Sequence, residues 1–542
     1  MSRPSLTPAA ARSDGRPDVF RLAERALAAH RDSDFAQADR LYRAVLQRDP
    51  ANFDVLHLAG CVNHELGRLG EALRFLAAAV RRNARSAAAL SDLALVQHGL
   101  ERYADALASH DAALAIEPDN CDIVNRRAVT LLRLDRPAEA LAELERVLAI
   151  APTHVEALGN RGNVLLRLNR PEEAIAAYDV ARRIAGDSAQ LLTNRAHALR
   201  RLDRVAEAVA DLERALARRP DFAEAHFELA MARLALGDFV GGWSEYEWRW
   251  NTAAFAPSRR AFTSPLWTGE QKLAGKTILL HGEQGLGDTI QFVRYVPLVA
   301  GCGATVILEV QPELALLLAG FAGAACVIVC GRKLPRFDLH CPLMSLPRAF
   351  ATASDTVPAA VPYLHVEAAR AQAWAQRLPA RGPLIGIAWA GRTTHHNDQN
   401  RSLPLARLAP LLRTAGARFV SLQRDRRPGD DAILRDSPGF LDIGGVPEDL
   451  ADTAALIARL DAVVSVDTAV AHLAGALGRP LFLLLPFAAD FRWLRGRDDS
   501  AWYPTAQLLR QPAFGDWDSV VARLCGVLSE EGLAPRSVRR AS

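Results

Sequence analysis

The sequence predicts an α-helical repeat solenoid followed by an α/β region made of two parallel-sheet lobes. Small and helix-stopping residues recur every 34 positions through the first half, and short apolar runs alternate with amphipathic stretches through the second. At 542 residues, half of them hydrophobic, the chain is long enough for several packed cores. We therefore expect a helical array in front of one or two globular α/β domains.

Three columns of residues define the repeat. The first holds helix-stopping residues at most of its positions, and the other two hold only alanine or glycine. Because two antiparallel helices need small side chains where their backbones approach most closely, each unit is predicted to be a helical hairpin. The columns are Pro50, Ala84, Pro118, Pro152, Gly186 and Pro220; Ala26, Gly60, Ala94, Ala128, Gly162, Ala196 and Ala230; and Ala38, Ala72, Ala106, Ala140, Ala174 and Ala208.

These columns resemble the tetratricopeptide repeat. The resemblance covers about Val19 to Trp250, as six full units and a seventh that decays at Gly241 and Gly242, so residues 19–250 are assigned to the solenoid. Such arrays bind partners and seldom catalyse reactions, which implies a protein or peptide partner in the groove and any chemistry in the second half.

Two asparagines in the array are candidates for partner binding. Asn160 and Asn194 fall at the same position of successive repeats, on the face expected to be concave. Their amides could hydrogen-bond an extended peptide. A solvated face without a ligand is the alternative interpretation.

Composition excludes some classes of partner and location. The net charge of +3 is small, and no basic tract is interleaved with aromatic residues, so nucleic acid is not an expected partner. Residues 1–18 lack an apolar core and predict a disordered tail without a secretory signal, hence a cytoplasmic protein. The apolar stretch Leu314 to Cys330 is divided by Gly320 and Gly323, so we expect no integral membrane segment.

The seven cysteines form no C-x-x-C pair and show no zinc-ligand spacing. This pattern is typical of reduced, mostly buried thiols. The sequence therefore predicts no metal site.

The second half divides into a connector and two lobes. We assign residues 251–275 to a packed connector rich in aromatic residues and proline, residues 276–365 to a first α/β lobe, and residues 366–535 to a second. Seven strands are predicted, at Thr277 to Leu280, Thr305 to Val310, Cys326 to Val329, Leu384 to Ala388, Phe419 to Leu422, Ala462 to Val466 and Leu481 to Leu485.

A glycine-rich turn links the first of these strands to a helix. Gly285, Gly287 and Asp288 lie in it, and glycine there lets a ligand approach the backbone at a helix N-terminus. The alternative is a tight turn in which Asp288 is an ordinary helix cap. A third interpretation is a dinucleotide site with Glu309 as its acidic residue, although the glycine fingerprint is incomplete.

A second candidate segment begins at Asp467, directly after the strand that ends at Val466. Thr468 follows, and His472 lies in the helix of small residues behind it. Ligands bind at the carboxyl ends of parallel strands, which favours a binding role. A helix cap at Asp467 or Thr468, with His472 in the core, is the alternative.

Three segments together resemble glycosyltransferase family 9, the heptosyltransferase-like family. They are the Gly285-Leu-Gly-Asp turn with Pro297 downstream; Gly386-Ile-Ala-Trp-Ala-Gly391 with Asn397-Asp-Gln-Asn-Arg-Ser402; and Asp467-Thr-Ala-Val-Ala-His-Leu-Ala474 with Gly478-Arg-Pro480. The resemblance covers about Lys276 to Leu524. It implies a GT-B-like fold of two Rossmann-like lobes that binds a nucleotide diphosphate sugar and needs no cofactor or metal ion.

The resemblance also implies roles for individual residues. Asp288 is expected to be the general base. The expected donor-binding residues are Gly285, Gly287, Trp389, Gly391, Arg401, Ser402, Asp467, Thr468 and His472. Gln423 is added because it follows the strand Phe419 to Leu422, where it could contact the nucleotide base; a solvated loop side chain is the alternative. The family often places a lysine on the diphosphate, but no lysine follows Lys333, so an arginine would have to replace it.

The stretch Thr393 to Asp398 contains two adjacent histidines and an aspartate. Adjacent histidines on a loop rarely point at one ion, so hydrogen bonding of phosphate or sugar by Asn400, Arg401 and Ser402 is the preferred interpretation, and a solvated loop is the alternative. A non-catalytic repeat scaffold with a degenerate sugar-nucleotide domain remains the alternative function.

Overall fold

The computed structural model describes residues 17–380, 382–395, 397–413, 416–443 and 447–533. The chain forms two compact units, Met1–Ala198 and Leu199–Ser542. Most of the predicted N-terminal tail, residues 1–16, lies outside the described residues, and so do residues 534 and 535 of the predicted second lobe.

The first unit consists of antiparallel helical hairpins, as the 34-residue period predicts. Several of its helices begin at a polar side chain that accepts a hydrogen bond from the first turn, such as Asn52 for Val55 N and Asn120 for Ile123 N. The helices are α1 (Pro17–Arg31), α2 (Phe35–Leu46), α3 (Phe53–Glu65), α4 (Leu69–Arg82), α5 (Ala87–Gly99), α6 (Tyr103–Leu114), α7 (Cys121–Arg133), α8 (Pro137–Ile150), α9 (Val155–Arg167), α10 (Pro171–Ala185) and α11 (Ala189–Arg201), the last of which runs on into the second unit.

The small-residue columns lie where the two helices of each hairpin approach. A Cβ atom at Gly60 would stand 2.5 Å from Leu76 Cγ, and one at Gly162 would overlap the ring of Tyr178. Ala72 and Ala174, from the other column, are fully buried. The close approach of the helices therefore explains why no larger residue occupies these positions.

One further set of equivalent repeat positions was not predicted from the sequence. The residue at the turn inside each hairpin has a positive φ, and these residues follow the same 34-residue period: Ser33, Gly67, Glu101, Asp135, Asn169, Asp203 and Gly237. Five of the seven are glycine, asparagine or aspartate, the residues that adopt the left-handed conformation most readily, so the column carries a signal for this turn.

The second unit starts with α12 (Val205–Arg218), α13 (Ala223–Ala235) and α14 (Phe239–Tyr246). Its aromatic residues join the core of the α/β part. Trp243 is 1 % exposed, and its ring centroid lies 5.9 Å from that of Phe292 and 5.6 Å from that of Phe491. The last helical hairpin is thus built into the core that supports both lobes.

The first lobe holds a parallel sheet of four strands in the order β3-β2-β1-β4. The strands are β1 (Thr277–His281), β2 (Thr305–Val310), β3 (Ala324–Val329) and β4 (Leu339–Pro342). The helices are α15 (Leu286–Phe292), α16 (Val296–Gly301) and α17 (Leu346–Ala349).

The second lobe holds a parallel sheet of five strands in the order β6-β5-β7-β8-β9. The strands are β5 (Leu384–Ala388), β6 (Arg418–Ser421), β7 (Ala462–Val466), β8 (Leu481–Leu485) and β9 (Ala506–Arg510). The helices are α18 (Ala368–Arg377), α19 (Asp398–Arg401), α20 (Ala409–Leu412), α21 (Asp430–Arg435), α22 (Leu450–Ile457), α23 (Ala469–Ala476) and α24 (Trp517–Glu530). All seven predicted strands are present, and the order reverses between β5 and β7, where parallel sheets commonly bind ligands.

The connector between helices and sheets is packed along β4. Trp267 is 4 % exposed; its backbone N–H donates to His340 O (2.8 Å) and its indole N–H to Gln271 O (3.0 Å). The segment is therefore ordered by the first lobe.

The prediction of mostly buried thiols is wrong for three cysteines. Cys61 and Cys341 are buried, whereas Cys302, Cys326 and Cys330 are exposed. Cys326 lies on β3, which is an edge strand, and Cys330 follows it, so neither is covered as a central strand would be.

Candidate active site between the two lobes

The glycine turn after β1 brings Asp288 to the start of α15. Gly285 caps this helix, and its backbone N–H donates to Asp288 Oδ2 (2.8 Å). The N-cap residue is therefore Gly285 and not Asp288, contrary to the capping interpretation; one oxygen of Asp288 supports the cap from the third position of the helix. The other oxygen, Oδ1, forms an ion pair with Arg492 of the second lobe.

The turn is also anchored to the last helical segment. Gln284 Nε2 donates to the Tyr246 hydroxyl (2.7 Å), and Arg249, which is fully buried, donates to Glu283 Oε1 (3.3 Å). Burial raises the pKa of Glu283 to about 7. These contacts fix the loop that carries Asp288.

Arg492 joins the two lobes. Besides its ion pair with Asp288, its Nε donates to Gln291 Oε1 on α15 (2.8 Å) and its NH1 to Asp490 Oδ1 (2.7 Å). The Arg492 side chain is only 10 % exposed. Neither Arg492 nor Asp490 was identified from the sequence, because arginine is abundant throughout the chain and no motif surrounds the pair; their position shortly after strand β8 was the signal that could have shown them.

Asp467 follows β7 and faces the same charged cluster. Burial raises the pKa of Asp467 to about 6, the negative charge of Asp490 adds to the rise, and the positive charges of Arg492 and Arg401 oppose it. Burial also raises the pKa of Asp288, again against Arg492 and Arg401. The positive charges of the same two guanidinium groups therefore oppose the rise in pKa of both carboxyl groups.

Thr468 is the N-cap residue of α23, but its side chain makes no capping hydrogen bond. The Thr468 hydroxyl therefore does not cap the helix, contrary to the alternative interpretation of this residue. It lies 3.3 Å from Ser465 Oγ.

His472 belongs to α23, and its side chain faces the glycine turn. Its Nδ1 is 2.9 Å from the Tyr503 hydroxyl, its Nε2 is 3.9 Å from Asp467 Oδ1, and a Cβ atom at Gly287 would stand 2.8 Å from its ring. Burial lowers the pKa of His472 far below its ordinary value, which favours the neutral imidazole. Packing between the lobes accounts for the missing side chain at Gly287.

Gly391 and Arg401 meet beside Asp467. Arg401 NH1 donates to Asp467 O (3.1 Å), and a Cβ atom at Gly391 would overlap the Arg401 guanidinium. Gly391 N donates to Ser402 Oγ (2.8 Å), which in turn donates to Asp398 Oδ1 (2.6 Å). The loop after β5 thus holds Arg401 at the strand ends.

Trp389 and Gln423 are placed differently from the donor contacts that the sequence predicts. Trp389 is fully buried and its indole N–H donates to Asp430 Oδ2 (3.0 Å). Gln423 accepts from the backbone N–H groups of Trp389 (3.1 Å) and Ala390 (3.0 Å), and its amide donates to two backbone carbonyls. In this arrangement both side chains brace the end of β5, and direct contact with a base would require these bonds to break.

The loop predicted not to bind metal is only partly described. His396 lies outside the described residues. Asp398 accepts from Ser402 and from Arg427 NH2 (2.6 Å), so its carboxylate is already engaged. Glu309, the acidic residue of the dinucleotide interpretation, forms an ion pair with Arg260.

In the first unit, the two candidate asparagines bridge neighbouring helices. Asn160 Nδ2 donates to Asn125 Oδ1 (2.8 Å), and Asn194 Nδ2 donates to Asn163 Oδ1 (3.1 Å). The amides therefore link neighbouring repeats, and Asn194 Oδ1 also accepts from Gln190 Nε2 (2.8 Å).

Two protein families match parts of this chain. Residues 125–189 and 193–242 match the tetratricopeptide repeat, and residues 447–484 match glycosyltransferase family 9 (heptosyltransferase). The second match contains Asp467, Thr468 and His472. The chain thus carries tetratricopeptide repeats, followed by parallel sheets with a family 9 segment, and its repeats indicate protein interaction.

A curated relative is similar to part of this chain. Protein FlbA of Caulobacter vibrioides is 27% identical over an alignment of 338 residues, which covers 57% of this chain and 56% of that protein. The matched region thus spans about half of the relative.

Solved structures of tetratricopeptide repeat proteins are similar to part of this chain. A tetratricopeptide repeat protein from Parabacteroides merdae is 18% identical, with a TM-score of 0.39, over 42% of this chain and 91% of that chain. The thermophilic repeat protein TTC0263 from Thermus thermophilus is 22% identical, with a TM-score of 0.31, over 34% of this chain and 99% of that chain.

Among the described residues, no helix combines the length and the apolar composition needed to cross a bilayer.

Proposed function

We propose that the protein is a metal-independent glycosyltransferase of the two-lobed GT-B type, which moves a sugar from a nucleotide diphosphate sugar to an acceptor hydroxyl in the cytoplasm. The repeats would recruit a protein acceptor or partner. The observation that carries the proposal is the meeting of Asp288 and Asp467 with Arg401 and Arg492 at the strand ends of two parallel sheets.

The two guanidinium groups supply the charge that the reaction needs. The acceptor oxygen attacks the anomeric carbon, the bond from that carbon to the diphosphate oxygen breaks, and the diphosphate leaves with the electron pair. Arg401 and Arg492 would stabilise the leaving diphosphate and so replace the lysine that this chain lacks. Arg401 Nε and Gln291 Nε2 are buried and make no hydrogen bond to any residue in the described part of the chain, which leaves two donors for such a ligand.

Asp288 would take the proton of the acceptor hydroxyl. Its pKa is raised by burial, and a carboxylate with a pKa nearer neutrality is a better general base. Its ion pair with Arg492 opposes this proton uptake. Diphosphate oxygens that enter the cluster would compete for Arg492 and release the carboxylate.

The remaining donor residues would act around this centre. Gly285 and Gly287 give the turn its close packing, Gly391 and Ser402 hold Arg401, and Thr468 and His472 flank Asp467. Trp389 and Gln423 would position the end of β5 beneath the donor.

The second candidate function is a non-catalytic scaffold that retains a degenerate sugar-nucleotide domain. One observation favours it: both oxygens of Asp288 are engaged, one by Gly285 N and the other by Arg492. A scaffold would keep these bonds permanently.

Nucleotide diphosphate release from a panel of sugar donors tests the proposal. We expect turnover by the wild type and a loss of about 10²-fold or more in Asp288→Asn and in Asp467→Asn. Asp499→Asn, at an exposed aspartate paired with Arg497, is the matched control and should keep full activity. Release that is equal in the wild type and both site variants would contradict the proposal, and no release with any donor would favour the scaffold.

A further inference from the structure

Three metal-ligating side chains meet in the first unit, far along the sequence from the candidate active site. His57 and Cys61 lie one turn apart on α3, and Asp92 lies on α5 of the next repeat. His57 Nε2 is 2.9 Å from Asp92 Oδ2, and Cys61 Sγ is 3.6 Å from the same oxygen. The three ligand atoms lie within 4.8 Å of one another.

The spacing suits a small tetrahedral ion. With bonds of about 2.0–2.3 Å, zinc holds neighbouring ligand atoms roughly 3.5 Å apart. The two separations from Asp92 Oδ2 lie on either side of that value, so both ligand pairs are close to the spacing that the ion needs. A histidine and a cysteine four residues apart on a helix present both ligands on one face.

The ligand types also point to zinc. Imidazole nitrogen, thiolate sulfur and carboxylate oxygen are its ordinary protein ligands, whereas magnesium and calcium prefer oxygen alone. The thiolate and the carboxylate would together balance the charge of a divalent ion. Cys61 is 1 % exposed and Asp92 is 0 % exposed, so neither side chain is open to bulk solvent.

A neighbouring arginine holds the carboxylate in place. Arg126 NH1 is 3.5 Å from Asp92 Oδ1 and donates to Ser91 Oγ at 3.1 Å. Since Arg126 faces Oδ1 and the other two side chains face Oδ2, an ion at Oδ2 leaves this contact intact. Such outer contacts orient a ligating carboxylate and raise the affinity for the metal.

We propose that His57 Nε2, Cys61 Sγ and Asp92 Oδ2 form a zinc site that ties the second repeat to the third, with water as the fourth ligand. The side chain of His57, at 12 % exposed, is the most accessible of the three and marks the side from which the ion and the water enter. The thiol proton leaves to solvent when the ion binds. The site differs from the sequence-based expectation of no metal, because its ligands come from two repeats and form no recognised cysteine spacing.

Cobalt titration of the full-length, metal-free protein tests the site. Co²⁺ bound to a thiolate gives a charge-transfer band, and we expect one equivalent to produce that band and zinc to displace it. Cys61→Ser should abolish the band, and Asp92→Asn should weaken cobalt and zinc binding by at least tenfold. A band that persists in Cys61→Ser, or no band in the wild type, would overturn the site and leave an ordinary His57–Asp92 contact.

Two control variants separate this site from other thiols. Cys121→Ser changes a thiol in the same array outside the trio, and the double variant Cys326→Ser, Cys330→Ser removes exposed thiols that could bind metal adventitiously. Both should keep the band, and its loss in either control would overturn the assignment. If Cys61→Ser lacks the helical circular dichroism of the wild type, His57→Gln replaces it: a tenfold loss of zinc affinity supports the site, and unchanged affinity overturns it.

Discussion

Arg492 of the second lobe forms an ion pair with Asp288 at the start of α15 in the first lobe. The same guanidinium binds Gln291 of the first lobe and Asp490 of its own. A single buried side chain therefore links the proposed base to the proposed donor site. Any ligand that draws Arg492 away changes the charge state and freedom of Asp288.

Replacing Arg492 should lower the rate of the reaction more than it lowers the stability of the fold. In Arg492→Gln we expect turnover to fall about 10²-fold and donor binding to weaken, because the diphosphate loses a cation and Asp288 loses its partner. Steady-state kinetics of diphosphate release measures this.

Arg495→Gln is the matched control for that substitution. Arg495 lies three residues away, is more exposed, and pairs with Asp203 instead of the charged cluster. Equal losses in Arg492→Gln and Arg495→Gln would show that Arg492 has no special part in the chemistry.

Asp467 should make folding stability fall as the pH rises. Its pKa is about 6 in the folded protein and 3.8 as an ordinary aspartate, so between these values the folded state binds more protons than the unfolded state. The free energy of unfolding then decreases from about pH 4 to about pH 6. Asp467→Asn removes this dependence, and relative to the wild type it should gain about 1–3 kcal/mol between pH 4 and pH 7.

Urea unfolding of both proteins across that pH range measures the difference, in which all other titrating groups cancel. A difference that stays constant with pH, or that changes with the opposite sign, would show that burial does not raise the pKa of Asp467.

Gly287→Ala should loosen the contact between the lobes. The new methyl group would stand 2.8 Å from the ring of His472, so α15 or the imidazole must move, at a cost of about 1–3 kcal/mol. Thermal unfolding measures the loss, and Gly301→Ala, where nothing lies within 4 Å, is the control that should be neutral or slightly stabilising. Equal melting temperatures for the two variants would refute the close approach.

Gly162→Ala tests the packing of the repeats in the same way. Its Cβ atom would overlap the buried ring of Tyr178, and we expect a destabilisation of about 1–3 kcal/mol. Gly70→Ala, on α4 with open space around it, should leave the protein as stable as the wild type or slightly more stable. Chemical denaturation monitored by helical circular dichroism distinguishes the two, and a harmless Gly162→Ala would contradict the helix approach described here.

The sequence predicted the elements whose signals are local and repeated. The 34-residue columns mark the closest helix contacts, and buried parallel strands such as β8 are continuous apolar runs in the sequence. Two strands were not predicted from the sequence. β4 is four residues long and ends in proline, and β9 carries no β-branched or aromatic residue.

Some residues of the candidate sites could not be predicted, because their partners lie far away in the sequence. Arg492 meets Asp288 across 204 positions, and Asp92 meets His57 across 35. Neither pair leaves a periodic or motif signal. The position of Gln423 after a strand is visible in the sequence, but its hydrogen bonds to the backbone of Trp389, Ala390 and Asp425 are not.

The account depends most on the binding of a nucleotide diphosphate sugar between the lobes. Thermal unfolding with saturating ligand measures this directly, since a ligand at 100 times its dissociation constant stabilises the folded state by about 2.7 kcal/mol. We predict that at least one sugar nucleotide raises the melting temperature of the wild type by several degrees and that Arg401→Gln with Arg492→Gln removes the shift. No shift with any sugar nucleotide, or a shift with a nicotinamide dinucleotide instead, would contradict the account.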